Sequence, residues 1–338
     1  MNAAVIINPI SGTGGRPEVA RARVELAASI LGARQIEAEV HVTERPGHGR
    51  ELARVALARG AGLVVAWGGD GTVNETASVL AFTTATLAIV PSGSGNGLAR
   101  ELGLPLNPRD AFEVAFGGVS RVIDAGEIEG RLFFNIAGIG LDARVAHRFA
   151  AGGLVRRGFA RYLEIAVQEL FTYRPEEHAI AVDGDVVRSR ALVVAIANGR
   201  QYGNGAIVAP HASLDDGLLD VIVVEQRPLA LALLQVPHVF AGTIDRVPGV
   251  ITRRGRSVEI TSGEPVIYHV DGEPFVGAAS ISARVRPGAL RVRAPRPDPQ
   301  LGQPRAGKAD GGAPMTSGGT VTSAARGWTR RGRGGLLR

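Results

Sequence analysis

Apolar and polar positions follow two different rhythms in the first third of the chain. Four short apolar runs have the composition of buried strands, and segments with apolar residues at helical spacing follow the first three of them. The predicted strands cover residues 3–7, 36–42, 63–67 and 87–90, and the predicted helices cover residues 17–31, 49–59 and 72–80. This order predicts an α/β domain with a doubly wound parallel sheet, in which ligands bind where the strands end.

Strand-like runs dominate after about residue 124. They cover residues 131–136, 178–182, 191–197, 218–224, 257–260, 266–270 and 289–292, and helical segments at residues 143–150, 159–171 and 229–240 interrupt them. The tripeptide Asp183-Gly184-Asp185 has the composition of a hairpin turn. We therefore expect a second, β-rich C-terminal domain of sandwich type.

Length and composition indicate the domain boundaries and the distribution of charge. The chain has 338 residues, enough for two domains, which we place at residues 1–125 and 126–295. Residues 296–338 are rich in Pro, Gly and Arg without periodicity, and they are predicted to form a disordered basic tail. This tail holds eight Lys/Arg and two Asp/Glu, so it carries the whole net charge of +6 and the rest of the chain is neutral.

Composition also excludes several classes of protein. The chain has no cysteine, which excludes a disulfide scaffold, a thiolate metal site and a cysteine nucleophile. No secretory signal opens the chain, and no apolar stretch reaches membrane-spanning length without a charge or a glycine. We therefore expect a cytoplasmic protein whose membrane contact is peripheral. The basic tail is typical of a solvated end, so no nucleic acid partner is expected.

Three glycine-rich loops each follow a predicted strand and precede a helix. They are NPISGTGG at residues 8–15 (the first loop), GGDGTVNE at residues 68–75 (the second loop) and PSGSGNGLAR at residues 91–100 (the third loop). Glycine lets backbone N–H groups approach a phosphate, and the start of a helix favours an anion. No Gly-Lys-Ser/Thr follows the first loop, so it is not a Walker-type phosphate loop. Taken singly, such a loop is also explained as an ordinary strand-to-helix turn.

Polar side chains in the second and third loops suit phosphoryl chemistry. Asp70, flanked by glycines, is placed to hold Mg²⁺ or to accept a proton from a substrate hydroxyl. Thr72 and Glu75 have the spacing of a helix capping box, so a well-capped turn is the competing explanation. Ser94 and Asn96 are small donors suited to a phosphate or a ribose.

As a set, the three loops resemble the catalytic domain shared by diacylglycerol kinases, sphingosine kinases and bacterial lipid kinases. The resemblance continues through NIAGIGLDA at residues 135–143, ANG at 197–199, PHASLDDGLLD at 210–220 and VDGEP at 270–274, and it covers residues 3–292. It implies a fold like that of diacylglycerol kinases and NAD kinases, with the active site between two domains. It further implies that ATP and Mg²⁺ serve to phosphorylate a hydroxyl of a lipid at the membrane surface, such as diacylglycerol or a sphingoid base.

The resemblance also implies roles for individual residues. Nucleotide binding is implied for Ser11, Gly12, Thr13, Gly14, Thr43, Gly69, Asp70, Gly71, Thr72, Val73, Asn74, Glu75 and Ser94. The general base of the family corresponds to Glu273, whereas sphingosine kinases assign that task to the counterpart of Asp70. Since Glu273 and Asp70 belong to different predicted domains, we expect domain closure to bring them together. Of the two, Glu273 is the leading base, and Asp70 suits the positioning of Mg²⁺ and phosphate.

Two further features bear on metal binding. The resemblance implies a structural Mg²⁺ at Asp216 and at the backbone carbonyls of Ser213 and Leu218, although carboxylates before a strand also suit a solvated turn. It implies that Asp124, which we place at the end of a strand, helps to hold a catalytic Mg²⁺. The chain has Gly97 where bacterial diacylglycerol kinases often carry Asp, which puts a second-metal network there in doubt and leaves the lipid open.

Two other functions fit part of the pattern. An NAD kinase shares the GGDGT-type loop and a β-rich second domain, but the DDGLLD and DGEP motifs favour a lipid kinase. A non-catalytic regulator that binds nucleotide or lipid is the other alternative, and the presence of Asp70, Asn74, Glu75 and Glu273 argues against it. The sequence does not determine the oligomeric state, so a homodimer stays open.

Overall fold

The first part of the chain folds into a parallel sheet covered by helices. The structure is a computed structural model that describes residues 2–12, 17–151 and 159–296. The strands of this part are β1 (Ala3–Ile7), β2 (Ala38–Val42), β3 (Leu63–Gly68) and β4 (Thr86–Pro91). Its helices are α1 (Pro17–Ala33), α2 (His48–Ala58), α3 (Asp70–Leu80), α4 (Gly97–Glu101) and α5 (Pro108–Gly117).

The parallel sheet has the strand order β2-β1-β3-β4, and helices cover both of its faces. Ala53 of α2 and Ala77 of α3 pack on one face, and Ile30 of α1 and Phe112 of α5 pack on the other. As a result, β1 and β3 are buried over their whole length. Strands buried on both faces are continuous apolar runs, which explains why the pattern located them. The predicted α/β class with a doubly wound sheet is confirmed.

The second part is rich in strands. They are β5 (Val119–Ile128), β6 (Arg131–Phe133), β7 (Ile136–Gly140), β8 (Glu177–Val182), β9 (Asp185–Ala197), β10 (Leu219–Glu225), β11 (Val250–Gly255), β12 (Ser257–Thr261), β13 (Ile267–Val270), β14 (Glu273–Val276) and β15 (Ser280–Ala294). The helices are α6 (Leu141–Ala151), α7 (Phe159–Thr172) and α8 (Leu229–Ala241). Inward side chains of β7 to β10, β12, β13 and β15 form one apolar core between two layers, as in the predicted sandwich.

Two long strands join the layers and the two parts of the chain. The first half of β9 pairs with β8, and its second half pairs with β7 and β10. β15 pairs with β12 and β5, and its residues Arg291 and Val292 also pair in parallel with β4. The parallel sheet therefore continues into the β-rich part, and residues Met1–Arg296 form one compact unit. Residue 125, where we drew the domain boundary, lies within β5, and the division into two domains stays a prediction.

Several predicted elements differ in detail from the observed ones. The strand predicted at residues 131–136 is interrupted at Phe134 and Asn135, whose backbone N–H groups donate to the Asp271 carboxylate instead of to a neighbouring strand. The predicted hairpin turn is confirmed, since Val182 pairs with Asp185 across it. The predicted tail lies outside the described residues from position 297 onward. Among the described helices, none is long and apolar enough to cross a bilayer.

Candidate active site

The first and second loops meet where β1 and β3 end. Asn8 Nδ2 donates to Thr72 Oγ1 over 2.8 Å, so the residue after β1 holds the first turn of α3. Ser11 Oγ lies 2.7 Å from Ser92 Oγ and thereby joins the first loop to the third. Gly12 has φ +72°, and a β-carbon there would lie 2.2 Å from the Ser92 carbonyl oxygen, so only glycine allows this approach. Three loops distant in sequence thus form one surface of backbone and small polar groups.

Thr13 and Gly14, which the resemblance places at the nucleotide, lie outside the described residues. Thr43 is buried after β2, and its N–H donates to the Ile7 carbonyl over 2.8 Å. Ser94 and Gly71 are exposed, and Val73 packs into the core, so any contact of Val73 with a nucleotide would be through its backbone. These residues lie at the same edge of the sheet, and their roles in nucleotide binding stay predictions.

Arg23 fixes the first loop, and sequence reasoning missed it. Its guanidinium donates to the carbonyl of Asn8, to Ser11 Oγ over 2.9 Å and to the carbonyl of Ser11 over 2.8 Å. It also lies over the Trp67 ring, 5.7 Å from the centroid. Burial lowers the pKa of this guanidinium. An arginine in the middle of α1 has no local sequence signal for such a role, because its partners come from another loop.

Asp70 joins the second loop to the third. It begins α3, and its carboxylate oxygens accept hydrogen bonds from the N–H of Asn96 at 2.9 Å and of Gly97 at 2.7 Å. Burial and, to a lesser extent, the charge of Asp271 raise the pKa of Asp70, the two hydrogen bonds oppose that rise, and the net value is about 6. Both oxygens therefore already have protein donors, which suits Asp70 to hold the third loop in place.

The predicted capping box at Thr72 and Glu75 is wrong. Helix α3 begins two residues earlier, its N-cap is Gly69, and no side chain caps it. Thr72 Oγ1 instead accepts the bond from Asn8. Glu75 Oε1 accepts the N–H of Gly47 at 2.8 Å, at the start of α2. Thr72 and Glu75 therefore connect α3 to the first loop and to the start of α2, and they do not cap their own helix.

Asn96 shapes the third loop from within. It has φ +53°, and its side-chain amide bonds both the N–H and the carbonyl of Gly93 at 2.8 Å. The next residue, Gly97, is in a crowded position, since a β-carbon there would lie 2.3 Å from Asn135 Nδ2 and 2.9 Å from the Tyr202 carbonyl oxygen. This crowding gives a physical reason for Gly97.

Asp271 connects both parts of the chain at the site. Its carboxylate accepts four hydrogen bonds, from Asn74 Nδ2 at 2.8 Å and from the N–H groups of Phe134, Asn135 and Ile136 at 3.0 to 3.1 Å. Burial raises the pKa of Asp271, and the four donors oppose that rise. Its place before Gly272 in the β13–β14 turn was visible in the sequence, but its partners were not. Asn74 and Asp271 form a bridge between α3 and this turn.

Glu273 lies just beyond that bridge, in an open cleft. It is exposed at the start of β14, and the cleft has a volume of about 560 Å³. The lining residues are Arg50, Arg54, Leu57, Asn74, Ser78, Val79, Gly130, Arg131, Leu132, Val270, Glu273 and Phe275. Of the described residues in the three glycine-rich loops, only Asn74 reaches this lining. The loops and the cleft are therefore neighbouring compartments, with Asp70 facing the loops and Glu273 facing the cleft.

A chain of polar groups, buried at His269 and partly buried at Tyr202 and Asp142, supports the turn that carries Glu273. Tyr202 Oη donates to Asp142 Oδ2 at 2.5 Å, and His269 Nε2 lies 3.2 Å from the same oxygen. Gly272 N–H donates to His269 Nδ1 at 3.3 Å, so the ring is bound on both sides. His269 is 2% exposed. This chain ties the β13–β14 turn to α6.

The residues predicted to bind a structural Mg²⁺ have other partners in this structure. Asp216 accepts the N–H of Leu218 at 3.1 Å and forms an ion pair with Arg254. Ser213 Oγ donates to Asp215 at 2.9 Å. Among the described residues, no group of three or more His, Asp or Glu side chains is arranged to hold a metal. As folded here, this loop does not fit a cation, because Arg254 already neutralises Asp216, and the Mg²⁺ site stays a prediction.

Asp124 is likewise engaged by the protein. It was predicted at a strand end but lies within β5, and it is 4% exposed. Its two carboxylate oxygens accept the N–H groups of Gly217 and Gly288, each at 2.7 Å. Asp124 thus fixes two turns, and its contact with Mg²⁺ stays a prediction.

Comparison with known proteins identifies relatives that match both parts of the chain. The diacylglycerol kinase catalytic domain matches residues 2–128, and the YegS C-terminal NAD kinase beta sandwich-like domain matches residues 135–294. A Pseudomonas aeruginosa protein named "Probable lipid kinase YegS-like" is 32% identical over 292 residues, which cover 83% of this chain and 93% of that protein. A Mycobacterium tuberculosis protein named "Diacylglycerol kinase" is 32% identical over 302 residues, or 86% of this chain and 94% of that protein.

Solved structures show the same fold. The crystal structure of a protein described as a diacylglycerol kinase from Bacillus anthracis str. Sterne superposes with a TM-score of 0.64. The match covers 89% of this chain and 98% of that one at 20% sequence identity, so it bears on the fold alone. The family itself rests on the two matched domains and on the relatives above the 30% level. The chain therefore belongs to the diacylglycerol kinase family, with a diacylglycerol kinase catalytic domain followed by a YegS-type C-terminal domain.

Proposed function

We propose that the protein is an ATP-dependent lipid kinase that phosphorylates a hydroxyl of a membrane lipid. The observation that carries this proposal is the pair of adjoining compartments, with glycine-rich loops on one side of the Asn74–Asp271 bridge and the Glu273 cleft on the other. Membership of a kinase family supports the use of ATP. The apolar cleft residues Leu57, Val79 and Leu132 suit a lipid better than a wholly polar acceptor.

The glycine-rich loops would bind the phosphates of ATP. Backbone N–H groups at the start of α3 and in the first and third loops offer donors and the positive end of a helix dipole. Arg23, Asp70 and Asn96 hold these loops in place before a nucleotide arrives. Mg²⁺ ordinarily bridges phosphate oxygens in such reactions and neutralises their charge. None of the residue roles proposed here depends on a protein ligand to that ion.

Glu273 would act as the general base. The acceptor oxygen forms a bond to the γ-phosphorus while the bond from that phosphorus to the bridging oxygen breaks, and ADP leaves. The hydroxyl proton passes to the Glu273 carboxylate, which is exposed in the cleft and makes no hydrogen bond among the described residues. Asp70 is less suited to this step because both of its oxygens already accept backbone N–H groups.

Helix α8 would provide the peripheral contact with the membrane. Leu231, Leu233, Leu234, Val236 and Phe240 are between 45% and 69% exposed. No Asp, Glu, Lys or Arg occurs from residue 228 to residue 244. An apolar surface of this kind marks an interaction site. Replacing both Leu233 and Leu234 with Glu should weaken binding of the protein to lipid vesicles. Val186→Glu is the control, since Val186 is about as exposed, and it should leave vesicle binding unchanged. If the double variant instead changes the molar mass of the protein in solution and still binds vesicles, α8 forms a dimer interface.

A panel of acceptors tests the proposed function. ADP release is measured with the full chain, ATP and mixed micelles that contain diacylglycerol, a sphingoid base or phosphatidylglycerol, and separately with NAD. We expect ADP release to depend on one of the lipids and a phosphorylated lipid to appear in the extract. Phosphorylation of NAD alone would overturn the lipid assignment. Nucleotide binding without turnover on any acceptor would favour a regulator.

A further inference from the structure

Three carboxylates lie close together where the chain enters β10, and two arginines from other strands pair with them. Asp215 and Asp216 belong to the loop before β10, and Asp220 is the second residue of that strand. Arg254 of β11 forms ion pairs with Asp216 and with Asp220, the latter over 3.2 Å. Arg121 of β5 lies 2.9 Å from Asp215. Each of the three carboxylates therefore has a guanidinium partner.

The register of the sheet fixes Arg254 in this position. Asp220 and Arg254 are directly opposite each other in the antiparallel pair of β10 and β11. Residues in such a pair point to the same face, and their β-carbons are about 5 Å apart. The Asp220 side chain is 6% exposed and the Arg254 side chain is 42% exposed, so the arginine lies on the solvent side of the carboxylate. Backbone pairing therefore places the guanidinium here.

Both carboxylate oxygens of Asp216 already have donors. Oδ1 accepts the N–H of Leu218 over 3.1 Å, and Oδ2 accepts a guanidinium N–H of Arg254. Mg²⁺ demands near-octahedral oxygen ligands at about 2.0–2.1 Å. An ion bound to Asp216 at that distance would stand beside the positive charge of Arg254 and be repelled by it. The residues of this loop therefore do not fit the Mg²⁺ that the resemblance implies, because Arg254 already supplies the positive charge.

Removal of Arg254 would leave Asp220 in an unfavourable environment. Burial raises the pKa of Asp220, Arg254 opposes that rise, and the nearby charge of Asp216 adds to it. Two neighbouring carboxylates, one of them buried, repel each other unless a cation lies between them. Loss of one partner of a buried ion pair is strongly destabilising, since the remaining charge has neither water nor a counter-ion. The fold thus requires a positive charge at this point.

We propose that the guanidinium of Arg254 takes the place of a structural Mg²⁺, so that the folded chain needs no divalent cation at Asp216. The guanidinium joins the loop to β10 and β11, as a metal ion between the same carboxylates would. Asp216 and Asp220 form a cation site only when Arg254 is absent. This role of Arg254 concerns the fold alone and is independent of the proposed function, and the Mg²⁺ that accompanies ATP is a separate ion.

The test measures thermal unfolding of the full chain without nucleotide, in EDTA and in excess MgCl₂ at matched ionic strength. The proteins are wild type, Arg254→Gln and Arg253→Gln. Arg253→Gln is the matched control, since Arg253 is the preceding residue of β11, is 43% exposed and pairs with the exposed Asp185. Elemental analysis measures the Mg²⁺ content of purified wild type before and after dialysis against EDTA.

We expect the Tm of wild type to be the same in EDTA and in MgCl₂. Arg254→Gln in EDTA should lower Tm by about 4–8 °C, because a buried carboxylate loses its partner. MgCl₂ should restore part of that loss, since the two carboxylates can then bind the ion. Arg253→Gln should change Tm by less than about 2 °C and should not respond to MgCl₂, as is usual for an exposed ion pair.

The wild type alone can overturn the proposal, even if Arg254→Gln does not fold. A wild-type Tm that falls in EDTA and recovers in MgCl₂, or one equivalent of Mg²⁺ in the purified wild type, would show that the loop holds a structural ion beside Arg254. Equal Tm values for Arg254→Gln and Arg253→Gln would show that Arg254 has no special role. A folded Arg254→Gln that does not respond to MgCl₂ would show that the guanidinium does not stand in for a metal ion.

Discussion

At the scale of single residues, Asp70, Asp271 and Glu273 differ in role because their carboxylates have different surroundings. Asp70 and Asp271 are surrounded by N–H donors and connect loops to each other. Glu273 is exposed in the cleft and has no such donors among the described residues. A carboxylate whose two oxygens accept backbone N–H groups positions its neighbours, whereas one exposed in the cleft can reach a substrate hydroxyl. The geometry therefore favours Glu273 over Asp70 as the base.

The raised pKa of Asp70 predicts a specific dependence of stability on pH. The folded chain holds the Asp70 proton up to about pH 6, whereas the ordinary value is 3.8. The stabilising effect of this proton is complete below about pH 4 and is lost as the pH rises through about 6. Wild type should therefore lose stability relative to Asp70→Asn over this range, on the order of 3 kcal/mol at most. Urea unfolding of both proteins at several pH values measures the difference.

Asp183 provides a control of opposite sign. Hydrogen bonds from the backbone of Arg256 and Ser257 hold the pKa of Asp183 below its ordinary value. Its contribution to stability is thus present above the ordinary pKa and is lost as the pH falls.

The same unfolding measurements also test the account of Asp70. A wild type that gains stability relative to Asp70→Asn between pH 4 and pH 6 would contradict that account.

His269 is predicted to act as a positioning residue for Glu273. It bonds Asp142 on one side and the turn residue Gly272 on the other. His269→Gln should lower kcat by roughly tenfold or more, because misplacing a catalytic group costs rate, while KM for ATP stays unchanged. His178→Gln is the control, since His178 is buried in the sandwich away from the site. Equal effects of both variants on kcat would show that the role of His269 is only structural.

At the scale of elements, periodicity located the buried strands and the helices between them but missed elements with weak patterns. β1 and β3 were predicted because both faces are apolar. The break before β7 was not, since hydrogen bonds to a distant residue, Asp271, determine it. For the same reason, motifs identified Asp70 and Glu273 as site residues, whereas Arg23, which has only tertiary partners, gave no local signal.

Gly97 at the start of α4 provides a test of how tightly this element packs. A β-carbon there would contact Asn135 at 2.3 Å. Gly97→Ala should therefore destabilise the protein by about 1–3 kcal/mol, as is usual for overpacking. Gly117→Ala at the end of α5 is the matched control, because no atom lies within 4 Å of its β-carbon position. Denaturant unfolding compares the two, and equal stability would contradict the crowding at Gly97.

At the scale of the whole molecule, the two parts are already joined at the site. β15 pairs with β4 and β12, and the Asn74–Asp271 bond connects α3 to the β13–β14 turn. The expectation that domain closure brings Asp70 and Glu273 together assumes that the two parts are separate domains. The continuous strands could not be foreseen, because the pairing partner of a strand is not encoded in its own pattern.

This continuity predicts a single unfolding transition for residues 1–296. Trp67 is buried in the first part, and Trp328→Phe leaves it as the only tryptophan. In denaturant, its fluorescence should change together with far-UV circular dichroism, as expected for a cooperative unit. If circular dichroism from β-strands persists after the fluorescence of Trp67 has changed, the β-rich part unfolds on its own.

The most direct test of the central claim is transfer of the γ-phosphoryl group from labelled ATP to lipid by wild type and by Glu273→Gln. Wild type should label one lipid. Glu273→Gln should lose about 10²- to 10⁴-fold in kcat, the usual contribution of a general base, with ATP affinity unchanged because Glu273 faces the cleft and not the loops. Labelling of lipid by Glu273→Gln at a rate close to that of wild type would contradict the proposed mechanism.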